Sequence, residues 1–318
     1  MMTHESCGWS FYSYKSLFFN DFVTLFAYFD QSRYDESSHK VSGMPQKQPK
    51  TAKKWPKTPP KHAKKADESV EIMGTTIFGT RKSEVLRKMW LQRKEMLHVA
   101  TVNPEFVMEA RANPRFRESL SYCLTVADGW GVVWADRIVR SDQFAVRRVR
   151  MERVSGVELV TEILRHADRT GEKVFLLGGR PGSAPAAAQA MSAKYPGARL
   201  SYFAGAATVR LEKQEEANMT IAKINAISPD YLLVAYGSPW QDIWIEDNRP
   251  YLRARVAIGV GGTLDEWAGL VPRCPVWLDR AGLKWLFRLS HEPWRWRRIL
   301  RVFAFAFLVL KQRLKALF

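Results

Sequence analysis

Three times in its second half the chain runs through the same order of parts: an apolar stretch the length of one strand, a glycine-rich turn, and a helix-forming stretch. Lys173–Leu177 (KVFLL) leads through Gly178-Gly179-Arg180-Pro181-Gly182 into the Ala-rich Ser183–Lys194. Tyr231–Tyr236 (YLLVAY) leads through Gly237-Ser238-Pro239 into Trp240–Asn248, and Arg255–Val260 leads through Gly261-Gly262-Thr263 into Leu264–Ala268. Strand, turn and helix in series require parallel strands joined by right-handed crossovers. The expected fold is therefore α/β, a Rossmann-like parallel sheet with helices on both faces. Each turn aims backbone N–H groups and a helix start at the same sheet edge, where anions bind. Three such turns on one edge suit a nucleotide diphosphate. The turn at Gly178 is weak evidence alone and lacks G-x-G-x-x-G, which speaks against a nicotinamide cofactor. No cofactor is expected.

In the first half, Thr101–Gly131 (TVNPEFVMEARANPRFRESLSYCLTVADGWG) carries the strongest chemical signal. Tyr122–Ala127 (YCLTVA) is apolar and rich in β-formers, so it reads as a buried strand. Asp128 then falls just past its carboxyl end, where open α/β sheets place their ligands. A carboxylate there is a candidate general base; capping of the following helix is the competing reading. Around this stretch, Met73–Phe78 is expected as a short strand and His98–Val102 as another. Apolar residues at helical spacing run from Lys82 to Leu97. Val132–Val139 follows Trp130, Arg140–Arg150 reads as a mobile Arg-rich loop, and Ser155 is expected to cap a helix reaching about Arg169.

The chain has 318 residues and a formal charge of +17, unevenly placed. Residues 40–65 hold nine Lys and no acid, and residues 271–318 hold eleven Lys or Arg against Asp279 and Glu292. The long middle is nearly neutral, so the basicity belongs to two ends, suited to phosphates on a membrane, on nucleic acid or on a diphosphate substrate. Residues 1–66 are expected as a poorly ordered extension, aromatic-rich over Trp9–Phe29 and then Lys/Pro-rich. Residues 67–270 form the α/β core, and 271–318 a basic amphipathic helical appendage. Val302–Leu310 is nine apolar residues, under half of the roughly 20 needed to span a bilayer. Trp294, Trp296 and several Phe beside many Arg suit a helix lying in the headgroup region; packing on the protein's own core is the alternative. Three distant cysteines, six scattered histidines and the lack of any D-x-D leave no metal-ligand pattern, so no metal site is expected. A polycation with a single aromatic, Trp55, lacks the repeated stacking residues of a single-strand groove. A specific nucleic-acid partner is therefore not expected. A catalytically idle membrane scaffold is the other alternative.

From about Val70 to Arg301 the sequence resembles the WecG/TagA/CpsF family of glycosyltransferases. The matching pieces, in order, are T-x-N-P at Thr101, D-G-x-G at Asp128, E-R-x-x-G at Glu152 and F-L-L-G-G-x-P-G at Phe175. They continue with G-S-P-x-Q at Gly237, G-V-G-G-T-x-D at Gly259, A-G-x-x-x-R at Ala268, and W-L-x-R-L-x-x-E-P-x-R-x-x-R from Trp285. The resemblance implies an inverting, metal-independent transfer of an N-acetylmannosamine-type sugar from a UDP-sugar to a polyprenyl-diphosphate-linked amino sugar. The setting it implies is peripheral, on the cytoplasmic, inner face of a bacterial plasma membrane with an anionic surface. A homo-oligomer stays open. Asp128 matches the family's proposed base, and Arg288, Arg295 and Arg298 match C-terminal arginines that would meet the departing diphosphate. Thr101, Asn103, Arg153, Gly178, Gly179, Gln241, Gly262, Thr263 and Asp265 match substrate-binding positions; helix capping is the alternative for Asp265. Trp240 departs from the family's usual Lys, Asp242 from Glu, Leu264 from Phe, Cys274 from Ala and Lys284 from Glu. The change at 240 removes a cation from the expected nucleotide edge.

Overall fold

Eight strands make one sheet in a computed structural model that describes residues 69–140, 151–293 and 296–317. The first two are a hairpin, β1 (Ser69–Ile72) and β2 (Thr75–Phe78), joined by Met73 and Gly74, both at positive φ. Two consecutive left-handed residues are what a tight turn between right-twisted strands requires. The expected strand Met73–Phe78 is thus divided: Met73 belongs to the turn, and the hairpin begins at Ser69.

The other strands are β3 (Leu97–Val102), β4 (Leu124–Ala127), β5 (Lys173–Gly178), β6 (Arg199–Phe203), β7 (Tyr231–Ala235) and β8 (Val256–Gly259). The order across the sheet is β1-β2-β4-β3-β8-β7-β5-β6, and every neighbouring pair except β1–β2 is parallel. Every residue of β3, β4, β7 and β8 is buried, as expected for parallel strands covered on both sides, which read as continuous apolar runs.

Side-chain alternation divides the core between the two faces. Leu97, Val99, Leu124, Val126, Leu233, Val256 and Ile258 point to a face covered by α1 (Lys82–Leu91), α5 (Gly156–Thr170), α6 (Ser183–Lys194) and α9 (Thr263–Trp267). Ala100, Val102, Leu232, Val234 and Ala257 point to the other face. That face is covered by α2 (Pro104–Ala112), α3 (Pro114–Ser121), α4 (Trp130–Val139), α7 (Gln214–Ile227) and α8 (Trp240–Asn248), and by the last helix, α12 (Trp296–Leu317). Between α9 and α12 lie two short helices, α10 (Val276–Arg280) and α11 (Lys284–His291).

The helix after β3 leaves to one face and the helix after its neighbour β8 to the other. A crevice therefore opens at their carboxyl ends, the place where doubly wound sheets bind ligands. The boundaries expected for α6 and α8 are those observed. Helix α1 ends at Leu91, because Met96 and Leu97 already belong to the approach to β3. Tyr122 and Cys123 end α3 rather than beginning β4.

The last helix is amphipathic in two senses. Phe305 and Val309 are buried in the same cluster as Phe106, Val107, Val132 and Val133 of α2 and α4. Trp296, Leu300, Phe303, Phe307, Leu310 and Leu314, spaced alternately four and three apart, are exposed. At its far end Gln312 bridges to the hairpin: Met73 N–H donates to its Oε1 (3.2 Å) and its Nε2 donates to the Glu71 carbonyl (3.3 Å). Among the described residues, no helix is long and apolar enough to cross a membrane. The expected extension 1–66, the loop expected over 140–150 apart from its first residue, and Arg295 lie outside the described residues.

Candidate active site

Asp128 stands where β4 ends. Its N–H donates to the Val102 carbonyl (2.7 Å), and the Ala127 carbonyl accepts from Val154 N–H (2.8 Å), so the end of β3, the D-G-x-G corner and the start of α5 are tied together. The N-cap position of α4 is Gly129, with φ 101°, one residue after Asp128. Thr101, buried near the end of β3, lies under the first residue of α5: a Cβ on Gly156 would stand 3.1 Å from the Thr101 hydroxyl. Asn103 spends one polar atom locally, its Oδ1 accepting from Phe106 N–H (3.0 Å) as the cap of α2, a strong N-terminal signal together with Pro104.

The neighbouring corner belongs to β7 and β8. Gln241, buried in the first turn of α8, accepts from Gly261 N–H (2.9 Å). Its amide crosses Gly259 so closely that a Cβ there would sit 2.3 Å from Gln241 Nε2, so only glycine lets the strand end and the amide coexist. Thr263 turns its hydroxyl back onto the Val260 carbonyl (2.7 Å), and Gly262 precedes α9. Gln241 and Thr263 thus shape the Gly261-Gly262 turn from within.

At the third corner, Gly178 and Gly179 both have φ near +88° and lead into Arg180. Asp265 reaches across from α9 to accept from Arg180 N–H (3.0 Å) and from the Ser183 hydroxyl at the start of α6. It therefore orders the neighbouring turn, a role that neither reading of the sequence contained. A side chain at Gly179 would collide with Ser183.

The arginines come next. Arg153 Nη2 donates to Asp279 Oδ1 of α10 (2.9 Å), and Arg288 Nη2 of α11 donates to Glu266 Oε1 of α9 (2.7 Å). Arg298 lies within α12. Sequence reasoning missed Arg180, whose Nη2 lies 3.3 Å from Glu292 Oε1, and Arg210, whose guanidinium lies over the Trp240 ring at 5.4 Å. Where the resemblance marks a lost cation at position 240, a cation thus arrives from a different loop. No spacing in the sequence announces that contact, because the two residues are thirty apart and meet only through the sheet order.

Behind the crevice, the second face holds a charged set in which His98, Asp242 and Glu246 are buried and Arg249 nearly so. His98 in mid-β3 has Nδ1 2.7 Å from Glu246 Oε1 and Nε2 3.2 Å from Asp242 Oδ1, and Arg249 donates to both Glu246 oxygens (2.8 and 2.6 Å). Burial works against the imidazolium, but Cys123, Asp242 and Glu246 around the ring outweigh it and raise its pKa well above the ordinary 6.5. The Cys123 thiol is itself pushed up to about 11 by burial, so at neutral pH the carboxylates supply the stabilising charge. Burial would raise the Glu246 carboxyl, yet the hydrogen bonds from Arg249 and His98 hold it below the usual range. His98, Cys123 and Glu246 lie close enough to suggest a metal site. However, the Glu246 charge is already met by a fixed guanidinium, and a dication added beside Arg249 would be repelled. The set ties β3 to α8, the helix that carries Gln241.

A largely parallel sheet thus gathers a carboxylate, paired arginines and glycine turns on one edge, with a basic amphipathic helix packed against one face. The WecG/TagA/CpsF family of glycosyl transferases matches residues 70–317, and the chain belongs to that family. It is similar to the N-acetylglucosaminyldiphosphoundecaprenol N-acetyl-beta-D-mannosaminyltransferase of Bacillus subtilis (strain 168), 28% identical over 231 residues, 72% of this chain and 85% of the relative. The enzyme of that name from Bacillus spizizenii is 31% identical over 227 residues, covering 71% and 83%. The one from Staphylococcus aureus (strain MRSA252) is 28% identical over 238 residues, covering 73% and 87%.

Proposed function

We propose that this glycosyltransferase moves an N-acetylmannosamine-type sugar from a UDP donor to N-acetylglucosamine carried on a polyprenyl diphosphate, with inversion at the sugar's C1. The observation that carries the reading is Asp128 at the carboxyl end of β4, on the edge where the Gly-rich turns of β5 and β8 also end. In this reaction an acceptor hydroxyl attacks C1 from the face opposite UDP, the C1–O bond to UDP breaks, and Asp128 takes the hydroxyl proton. Charge on the leaving diphosphate is met by arginines, with Arg288, Arg295 and Arg298 supplied by the C-terminal segment. Thr101, Asn103, Gln241 and Asp265 serve the pocket largely by holding its corners in place. The exposed aromatic and aliphatic stripe of α12, flanked by Lys311 and Arg313, rests on an anionic membrane surface where a polyprenyl acceptor resides.

The test is Asp128→Asn in purified full-length protein, assayed with UDP-N-acetylmannosamine and a short-chain prenyl-diphosphate N-acetylglucosamine. Transfer is expected to fall by roughly 10²–10⁴-fold, the scale of a lost general base, while the melting temperature and UDP affinity stay put. Retention of more than about a tenth of the rate, under ~1.4 kcal/mol of barrier, would place the base elsewhere. Turnover in EDTA should equal turnover with Mg²⁺, because arginines carry the leaving-group charge; a requirement for the ion would remove them from that role.

A further inference from the structure

Residues 276–292, comprising α10 and α11, run past the Asp128 corner. A Cβ on Gly282 would stand 3.1 Å from Trp130 Cδ1, two residues after Asp128. Three arginine–carboxylate pairs fasten this strap, and each joins it to a segment near the carboxyl end of a different strand. Asp279 pairs with Arg153 beside β4 (2.9 Å), Arg288 with Glu266 after β8 (2.7 Å), and Glu292 with Arg180 after β5 (3.3 Å). Arg180 also lies 3.5 Å from Asp265. In the last two pairs the carboxylate is the more hidden partner: the Glu266 side chain is 7% exposed against 36% for Arg288, and Glu292 11% against 53% for Arg180. At those two pairs a ligand arriving from solvent meets guanidinium edges with carboxylates behind them, whereas at the first pair Arg153 is the more hidden partner, 13% exposed against 25% for Asp279.

We propose that Glu266, Asp279 and Glu292 are placeholders for a nucleoside diphosphate: they occupy Arg288, Arg153 and Arg180 in the empty enzyme and yield them to phosphate oxygens when the donor binds. The proposal rests on the UDP-donor reading above and adds to it a set of positioning residues, with Arg180 as a further phosphate contact. Carboxylate and phosphate offer the guanidinium fork the same acceptor geometry, so one can replace the other without rebuilding the site. Four carboxylates, Asp265 included, surround these three arginines, so the set by itself carries no net positive charge. A lone phosphate gains little there, whereas a diphosphate that engages several arginines at once can displace their partners. Because each guanidinium changes one anion for another, donor binding by the wild-type enzyme depends only weakly on salt.

The experiment is titration of the full-length enzyme with UDP, and separately with inorganic pyrophosphate, by calorimetry across a range of NaCl concentrations. Wild type is compared with Glu266→Gln and Asp279→Asn, and each variant's melting temperature is measured. Each variant is expected to bind UDP at least about fivefold more tightly at low salt, the scale of one half-exposed ion pair, and to show a steeper salt dependence than wild type. Unchanged or weaker binding by folded variants overturns the proposal. If the variants do not fold, the wild-type salt dependence decides: a steep one overturns the proposal and a shallow one supports it. Tighter pyrophosphate binding by the variants without any UDP binding would uphold the placeholders and reject the donor. Failure of every protein to bind either probe would reject both.

Discussion

The central strands β3, β4, β7 and β8 and the C-terminal residues 276–317 belong to one body but are held to it differently. The strands are buried on both faces and owe their place largely to apolar contact, which has no orientation of its own and is not screened by salt. The C-terminal segment adds one row of buried side chains, Phe305 and Val309, to ion pairs from Arg153, Arg180 and Arg288 and one from Arg301 to Glu109 (3.1 Å). Half-exposed pairs of this kind contribute up to about 1 kcal/mol each and weaken in salt. One region is therefore a permanent scaffold, and the other an attachment whose grip depends on ionic strength and on what occupies its arginines.

The sharpest way to break that contrast is to ask whether the attachment is also scaffold. Phe305→Ala should cost about 3–5 kcal/mol in chemical denaturation, as a fully buried aromatic does in a core, because its ring is part of the cluster around α2 and α4. A loss below about 1 kcal/mol would make α12 a mere appendage. Next in size is the pH response of the scaffold. His98 has its pKa raised in the folded state, so its contribution is fully present below about 6.5, the unfolded value, and is lost as pH rises through the folded value. Between those limits the folded protein holds one extra proton, and stability should fall by about 1.4 kcal/mol per pH unit. Denaturation curves at several pH values should show that alkaline decline, and His98→Gln should flatten it. Smallest is Phe303→Ala on the exposed stripe, expected to shift stability by less than about 0.5 kcal/mol while weakening sedimentation with anionic vesicles. An unfolding effect as large as that of Phe305→Ala would show that the stripe, too, is covered by protein.

What was legible in the sequence follows the same division. Runs such as YLLVA and LTVA state their burial in composition, and the Gly-rich turns after them mark the sheet edge, so the α/β core could be read from order alone. Strand β6 and helix α7 left no comparable trace. Arg199–Phe203 sits at the sheet's margin with no residue fully buried, and only Thr220 and Ile224 of α7 are buried. The partners of the site residues were hidden for another reason. Asp265 with Arg180, Arg210 with Trp240, and Glu266 with Arg288 depend on which strands lie side by side, and no local pattern encodes that. The C-terminal helix was ambiguous because its inward and outward faces are both aromatic, and the sequence does not say which ring turns inward.

The bridge from Gln312 to the hairpin has a bearing on how the chain is made. Val70, Ile72 and Ile77 share their cluster with Phe305 and Val309, and Met73 and Glu71 find hydrogen-bond partners in a residue about 240 positions later. During synthesis the first strands of the domain emerge long before the helix that covers them, and sequence separations of that size slow their assembly. This corner can be completed only once Phe305, Val309 and Gln312 have left the ribosome. Until then the hairpin's apolar side lacks the cover that Phe305 and Val309 give it, so a nascent chain stalled short of Phe305 is expected to expose more apolar surface than the folded protein.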